Sequence, residues 1–219
     1  MEENIIACCR IQLTPELSGN HFLLLQKFFY FTYMGLRGRS NLIDEHIFFV
    51  TTTVIGFTKI FVKNIYSDIL IRNIKHYQDK YKFEILAYII MPTHFHWIII
   101  VNPEFGTVSD IMRDIKKYSA WDIMEILEKE DRDLIKIFYN EGLKFPKHKR
   151  KFWMSRFDDE VIRNEKMFWT KLHYIHKNPV EAGLANSPEE YKYSSARNYI
   201  NNDHTVIKVD TSFAGTEIK

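Results

Sequence analysis

The chain has 219 residues, of which 46 % are hydrophobic and 15 % aromatic, so it can bury a core of ordinary size. Thirty lysines and arginines stand against 28 acidic residues, and this balance excludes a polybasic protein and a disordered one. Two adjacent cysteines exclude a disulfide scaffold. No apolar run approaches about 18 residues, so we expect no membrane span. The net charge of +2 is weak evidence against a nucleic-acid partner, because local patches bind nucleic acids and net charge does not.

The first 40 residues differ in character from the rest. The stretch 21–34 is apolar and aromatic, but the acidic start of the chain is unlike a secretion signal. We expect residues 1–40 to be an extension of doubtful function, which either packs on a domain or precedes a natural start at Met34. The domain itself is expected over residues 41–200, with a polar tail over 201–219.

Periodicity in the rest of the chain predicts an α+β domain. The predicted elements, in chain order, are a strand at 47–54, a helix at 61–81, strands at 83–91 and 94–101, a helix at 108–129, a strand or extended segment at 151–163, and a helix at 165–177 that ends before Pro179. The first six elements follow the order of a ferredoxin-like βαββαβ sandwich, with an antiparallel sheet and helices on one face. The helix at 165–177 is an addition to that fold.

The third predicted strand, at 94–101, contains two histidines, His94 and His96, separated by one residue. Side chains alternate along a strand, so both imidazoles point to one face, about 6.5–7 Å apart, and can reach one divalent ion. The alternative is a pair of histidines that are hydrogen-bonded or face solvent. Because the flanking residues are apolar, burial of this pair is costly without partners, and the two interpretations are about equally favoured.

The last predicted helix carries Tyr174 and Asn178 one turn apart, on a face roughly opposite the apolar side chains Leu172 and Ile175. A tyrosine and an amide on one face can supply a nucleophile and a metal ligand together. A surface tyrosine and a helix-ending asparagine explain the same spacing, and the residues alone favour this second explanation.

Three motifs together resemble a known family. The segment 91–96 (MPTHFH) is similar to the histidine–hydrophobe–histidine signature of HUH endonucleases. The segment 174–183 (YIHKNPVEAG) resembles the YIHxNPVxAG element of REP-associated tyrosine transposases, and 191–196 (YKYSSA) resembles their carboxy-terminal YxYSSA element. The resemblance covers residues 46–200, and Thr93 stands where the family often has asparagine.

The resemblance implies a mechanism and a set of partners. His94, His96 and Asn178 would hold Mg²⁺ or Mn²⁺, and Tyr174 would attack a phosphate of single-stranded, hairpin or palindromic DNA to form a 5′-phosphotyrosine. It also implies a monomer or homodimer in the cytoplasm, associated with the nucleoid and not with a membrane. Tyr118 is a rival nucleophile because it lies nearer to the histidines in sequence.

Basic residues with aromatic neighbours predict where the DNA strand binds, since lysine and arginine neutralise phosphates and aromatic rings stack on bases. The expected DNA-binding side chains are Lys144, Lys147, Lys149, Arg150, Lys151, Trp153, Arg113 and Lys117. A solvated loop is the alternative explanation of the basic run at 144–151.

Two further functions compete with the nuclease. One is a nucleic-acid-binding module that has lost cleavage. The other is a zinc hydrolase in which His173 or His176 joins His94 and His96 as a ligand.

Overall fold

The computed structural model describes residues 46–145 and 149–213, and the expected extension at 1–40 lies outside these ranges. A four-stranded sheet forms the centre of the described part. Its strands are β1 (Ile47–Thr53), β2 (Glu84–Met91), β3 (His94–Ile100) and β4 (Asp158–Val161). Neighbouring strands are antiparallel, in the order β2-β3-β1-β4. This sheet and the order of its elements confirm the predicted ferredoxin-like α+β fold.

Five α-helices accompany the described sheet. They are α1 (Asn64–Tyr81), α2 (Val108–Glu130), α3 (Arg132–Leu143), α4 (Glu165–Glu181) and α5 (Ala196–Asn201). None of these helices is both long and apolar enough to cross a bilayer. Short 3-10 turns lie at Ile55–Phe57, Ile60–Val62 and Pro188–Glu190.

The side chains of the inner strand β3 alternate between the two faces of the sheet. Phe95 and Trp97 are buried on one face, and the register places Val50 of β1 opposite Trp97. The ring of Phe95 packs on Trp153, whose indole N–H donates to Ser119 of α2, so α2 covers this face. The histidines of β3 alternate with these residues and therefore lie on the other face, where α4 packs.

Helix α4 is longer than the sequence predicts. Asn164 caps its first turn by accepting a hydrogen bond from the Met167 amide. The expected end before Pro179 is wrong, because the helix continues to Glu181 with the proline inside its last turn. A proline there removes only one backbone hydrogen bond, and its ring is buried. The helix ends where Gly183 adopts a φ of 68°, a conformation that glycine reaches without strain.

Helix α3 was not predicted from the sequence. The Asp131 carboxylate caps it by accepting from the Leu134 amide, and Ile135 and Phe138 are buried. The predicted extended segment at 151–163 contributes only the four-residue strand β4 to the sheet.

The carboxy-terminal segment, residues 191–213, packs on the sheet. The expectation of a polar tail over 201–219 is wrong for the described residues, because Ile207, Val209 and Phe213 are buried. Earlier in this segment, the Ser195 amide donates to the Tyr88 carbonyl, and the Ile90 amide donates to the Tyr193 carbonyl. These bonds cover the outer edge of β2, which would otherwise present unpaired backbone groups.

Candidate active site

The two histidines of β3 form the centre of the candidate site. Their ring centroids are 4.7 Å apart, so the strand places them side by side as the alternation predicts. His94 Nδ1 is 2.8 Å from Thr93 Oγ1, and His96 Nδ1 is 2.7 Å from Thr51 Oγ1. In the tautomer that protonates Nδ1, each ring donates to its threonine and Nε2 keeps a lone pair. The pair therefore has the partners that its burial requires.

Burial keeps both rings neutral. It lowers the pKa of His94 below the ordinary value for histidine. Burial, with smaller contributions from the charges of His94 and Lys171, lowers the pKa of His96 to about 3. Neutral imidazole is the form that binds a metal ion, so the pair is ready to act as ligands at neutral pH.

Tyr174 of α4 lies directly against this pair. Its hydroxyl is 3.4 Å from His96 Nε2, although the two residues are 78 positions apart in sequence. Its ring meets the ring of His96 edge-on at 5.1 Å and the ring of Phe49 at 6.1 Å. The residue is 45 % exposed, so the tyrosine lies at the surface beside the buried histidine.

Asn178 follows Tyr174 by one turn of α4 and is half-buried. Positions four apart share a helical face, so its amide lies on the side of the helix that carries the tyrosine. Within residues 46–145 and 149–213, no three His, Cys, Asp or Glu side chains gather into a metal site. Two neutral imidazoles oriented by threonines, with an amide oxygen one turn from the tyrosine, could hold a divalent ion that leaves positions open.

A cation and an aromatic ring border the site, and sequence reasoning missed both. Lys171 Nζ forms an ion pair with Glu160 at 2.5 Å and lies 4.6 Å above the ring of Phe49. Phe49 in turn stacks on His96 at 5.6 Å. The position of Lys171 one turn before Tyr174 was visible in the sequence, whereas its pairing with β4 depends on the strand register.

The motif histidine His176 anchors α4 to the sheet. It is 3 % exposed, its Nε2 is 2.9 Å from Ser195 Oγ, and that oxygen accepts a hydrogen bond from the Tyr88 amide of β2. Burial, followed by the charge of His173, lowers the pKa of His176 to about 3. The YIHKNPVEAG and YKYSSA motifs thus meet in one buried cluster. Among the described residues, neither His173 nor His176 joins the histidine pair in a group of three, and this counts against the zinc hydrolase.

The rival nucleophile Tyr118 lies elsewhere. It belongs to α2, which covers the opposite face of the sheet, and its ring contacts Tyr77 and Trp121 at 5.7 and 6.0 Å. The structure therefore does not bring Tyr118 to the histidines.

Most of the predicted basic residues already have partners. Lys144 pairs with Glu141, Arg150 with Glu128, and Arg113 with Asp110 and Asp114. Lys151 binds Ser155 Oγ and lies over the ring of Phe145. Lys117 and Lys149 are exposed, with Lys117 over the rings of Tyr118 and Trp121, and Lys147 lies outside the described residues.

The expectation that Trp153 stacks on bases is wrong. The side chain is 5 % exposed, its indole N–H donates to Ser119 Oγ, and its ring packs on Phe61 and Phe95. Trp153 belongs to the core.

The structure thus brings the motif histidines of β3 and the motif tyrosine of α4 together on one face of a ferredoxin-like sheet. The family model described as "Transposase IS200 like" matches residues 46–178, and the chain belongs to this family. The resemblance to REP-associated tyrosine transposases is confirmed at the level of the family. The comparisons connect the chain with DNA transposition.

A sequence relative agrees with this assignment. A Haemophilus influenzae protein provisionally described as a REP-associated tyrosine transposase is 26 % identical over 132 residues, which cover 53 % of this chain and 61 % of that protein. The match thus spans about three fifths of the relative's length.

One of two similar solved structures shares the fold. A REP-associated tyrosine transposase bound to a REP hairpin superposes with a TM-score of 0.54 and 19 % identity, over 77 % of this chain and 88 % of that one. A Deinococcus radiodurans protein provisionally described as a transposase gives a TM-score of 0.40 and 16 % identity, over 59 % of this chain and 87 % of that chain. The latter similarity is too low to support any argument.

Proposed function

We propose that this protein cleaves and rejoins single-stranded DNA, with Tyr174 as the nucleophile. The observation that carries the proposal is the 3.4 Å approach of the Tyr174 hydroxyl to His96 Nε2, which joins the motif tyrosine to the motif histidines within one chain. Fold similarity alone does not establish an activity, so the assignment depends on this geometry.

In the proposed reaction, the Tyr174 oxygen attacks a backbone phosphorus in line and forms an O–P bond. The bond from phosphorus to the 3′-oxygen of the preceding nucleotide breaks. The phenol proton leaves to solvent, and the released 3′-oxygen takes up a proton. The products are a 5′-phosphotyrosine and a free 3′-hydroxyl. A DNA 3′-hydroxyl that attacks the same phosphorus reverses the step and transfers the strand without hydrolysis.

His94, His96 and Asn178 are the residues that would hold Mg²⁺ or Mn²⁺. Such an ion, when bound, polarises the scissile phosphate and offsets its charge. The contribution of the protein is to keep both imidazoles neutral and oriented, through burial and through the hydroxyls of Thr51 and Thr93. The buried contact of His176 with Ser195 anchors α4 to the sheet and keeps Tyr174 within reach of the same phosphate.

The substrate that we propose is a DNA hairpin with an unpaired flank. Support comes from the structural relative, which is described as bound to a REP hairpin. Tyr174 is open to solvent, so a flexible single strand can approach it, whereas a paired duplex is bulkier and stiffer.

A covalent-adduct assay tests the proposal. Protein is incubated with 3′-labelled single-stranded hairpins and Mn²⁺ or Mg²⁺, and then analysed on a denaturing gel, because the tyrosine would retain the fragment that carries the 3′ end. We expect a labelled protein–DNA adduct with the wild type and none with Tyr174→Phe, which loses only the attacking oxygen. Tyr118→Phe is the matched control and should form the adduct as the wild type does.

Two outcomes would contradict the proposal. An adduct that survives in Tyr174→Phe and disappears in Tyr118→Phe would move the nucleophile to α2. Tight binding of the hairpin without any adduct would favour the nucleic-acid-binding module that has lost cleavage.

A further inference from the structure

The loop between β1 and α1, residues 54–63, is fixed at the end of the sheet where the histidine strand begins. The last pair in the β1–β3 ladder is Thr53 with His94. Beyond it, the Val54 amide donates to the Thr93 carbonyl at 2.8 Å, and the Phe61 amide donates to the Pro92 carbonyl at 3.0 Å. The loop backbone is therefore hydrogen-bonded to the two residues that precede His94, at the end of the sheet where the histidine strand begins. Elsewhere in the loop, the Ile55 amide donates to the Phe152 carbonyl and the ring of Phe61 packs on Trp153.

An aromatic side chain projects from this loop at a conformational cost. Phe57 is 65 % exposed and has a φ of 52°, next to Gly56 with a φ of 62°. A bulky residue in the left-handed region is strained, by about 1–2 kcal/mol. The other non-glycine residues with positive φ in the described ranges, Lys82 and Asn202, end helices, where this conformation is common. Phe57 is the last residue of the short 3-10 turn Ile55–Phe57 and ends no α-helix, and burial of its ring does not compensate for the strain.

Two lysines follow Phe57 in the loop. Lys59 and Lys63 are exposed, and neither has an acidic partner among residues 46–145 and 149–213. The sequence contains no aspartate or glutamate from position 46 to 67. In this respect the loop differs from the predicted basic run at 144–151, where Lys144 and Arg150 are paired with acids.

We propose that Phe57, Lys59 and Lys63 form a binding site for the unpaired nucleotides next to the phosphate that Tyr174 attacks. The ring of Phe57 stacks on a base, and the two ammonium groups pair with the backbone phosphates around it. Exposed aromatic rings between cations are the usual platform for a single strand, because every base offers a π-face and every nucleotide a charge. This site rests on the proposed function, since it names how the substrate of that reaction is held.

Binding measurements in EDTA test the site without any cleavage. The probe is a fluorescein-labelled DNA hairpin with an oligothymidine extension, compared with the same hairpin without the extension. We expect Phe57→Ala to weaken binding of the extended hairpin about tenfold, and to leave binding of the hairpin without the extension unchanged. Phe57→Trp, which keeps an aromatic face, should bind the extended hairpin as the wild type does.

Phe105→Ala is the matched control. Phe105 is 47 % exposed but follows β3 at its other end, beside Glu104, so its removal should not change either affinity. Phe57→Gly checks folding, because glycine accepts the positive φ. This variant should melt no lower than the wild type and still lose affinity for the extension. Lys59→Ala and Lys63→Ala should each reduce the slope of log K against log salt by about 0.7.

Several results would overturn the site. One is an unchanged affinity of folded Phe57→Ala and Phe57→Gly for the extended hairpin. Another is an equal loss with and without the extension. A change of sedimentation behaviour in Phe57→Ala, with DNA affinity unchanged, would instead make the loop a contact between copies of the chain. Failure of the proposed function is seen separately, as absence of the Tyr174 adduct, because the binding assay requires no chemistry.

Discussion

At the scale of single residues, two adjacent threonines of β1 have different surroundings: one contacts a candidate site histidine, and the other is buried on the opposite face of the sheet. Thr51 faces the histidines, and its hydroxyl holds His96 Nδ1 at 2.7 Å. Thr52 points to the opposite face, is buried, and its hydroxyl has no hydrogen-bond partner among the described residues. The same residue type therefore has two different roles one position apart, and each can be removed by the near-isosteric change to valine.

We predict that Thr51→Val weakens Mn²⁺ binding by about 10- to 100-fold, because the His96 ring loses the partner that fixes its tautomer and orientation. Isothermal titration of the metal-free protein with Mn²⁺ measures this loss. Thr52→Val should bind Mn²⁺ as the wild type does and should be more stable by about 1 kcal/mol, since it removes an unsatisfied buried hydroxyl. Equal affinities in the two variants would exclude a role for the Thr51 hydroxyl in ion binding.

How far the sequence predicts the site also depends on single residues. The alternation of a strand and the spacing of a helix placed His94 with His96 and Tyr174 with Asn178 on shared faces, because those rules are local. The roles of these residues came from the resemblance of their motifs to those of REP-associated tyrosine transposases. The contacts of Lys171 with Glu160 and Phe49 could not be foreseen, since they depend on which strands pair and in which register. The same holds for Trp153, because composition cannot distinguish an aromatic ring that is buried from one that is exposed.

At the scale of elements, the seat of α4 on β2 determines where Tyr174 points. His176 lies two residues beyond Tyr174 on this helix, and it forms a buried hydrogen bond with Ser195. The Ser195 hydroxyl accepts from the Tyr88 amide and can donate to the unprotonated Nε2 of His176, an arrangement that requires a neutral ring. The end of α4 shows how local rules can fail. Pro179 predicts termination, but tertiary packing of its ring extends the helix by one turn.

The neutral His176 makes the fold sensitive to acid. Its pKa is about 3 in the folded protein and 6.5 for an unperturbed histidine, so between these values the unfolded chain binds the proton and the folded chain does not. The stabilising contribution of neutral His176 to the folded protein is fully present above about pH 6.5, and it is lost as the pH falls toward 3. At pH 5, protonation of His176 in the unfolded chain lowers the free energy of unfolding by about 2 kcal/mol. This figure depends almost entirely on the pKa of the histidine in the unfolded chain.

We therefore predict that His176→Gln, which can retain a hydrogen bond to Ser195, reduces the fall in unfolding free energy between pH 7 and pH 5 by about 2 kcal/mol. Urea denaturation at the two pH values measures the difference. His76→Gln on α1 is the control, because this exposed side chain is solvated in both states. If His176→Gln and the wild type lose the same free energy on acidification, His176 is not held neutral by the fold.

At the scale of the whole molecule, the carboxy-terminal segment completes the sheet. The Asp210 amide donates to the Ile85 carbonyl of β2, and Asn198 Nδ2 donates to the Ile207 carbonyl. The backbone of 193–195 covers the outer edge of the same strand. The composition of residues 201–219 predicted a polar tail because the apolar residues there are isolated among polar ones. Their burial depends on contacts with residues distant in sequence, which composition does not show.

This segment also supports the site, because Ser195, which holds His176, lies within it. We predict that Ile207→Ala lowers the unfolding free energy by about 2–5 kcal/mol through loss of a fully buried side chain. Ile137→Ala on α3 makes the same chemical change at an exposed position and should cost at most about 0.5 kcal/mol. Urea titration followed by tryptophan fluorescence measures both. Equal small effects of the two substitutions would mean that the segment is a detachable tail, and the edge of β2 would then be uncovered.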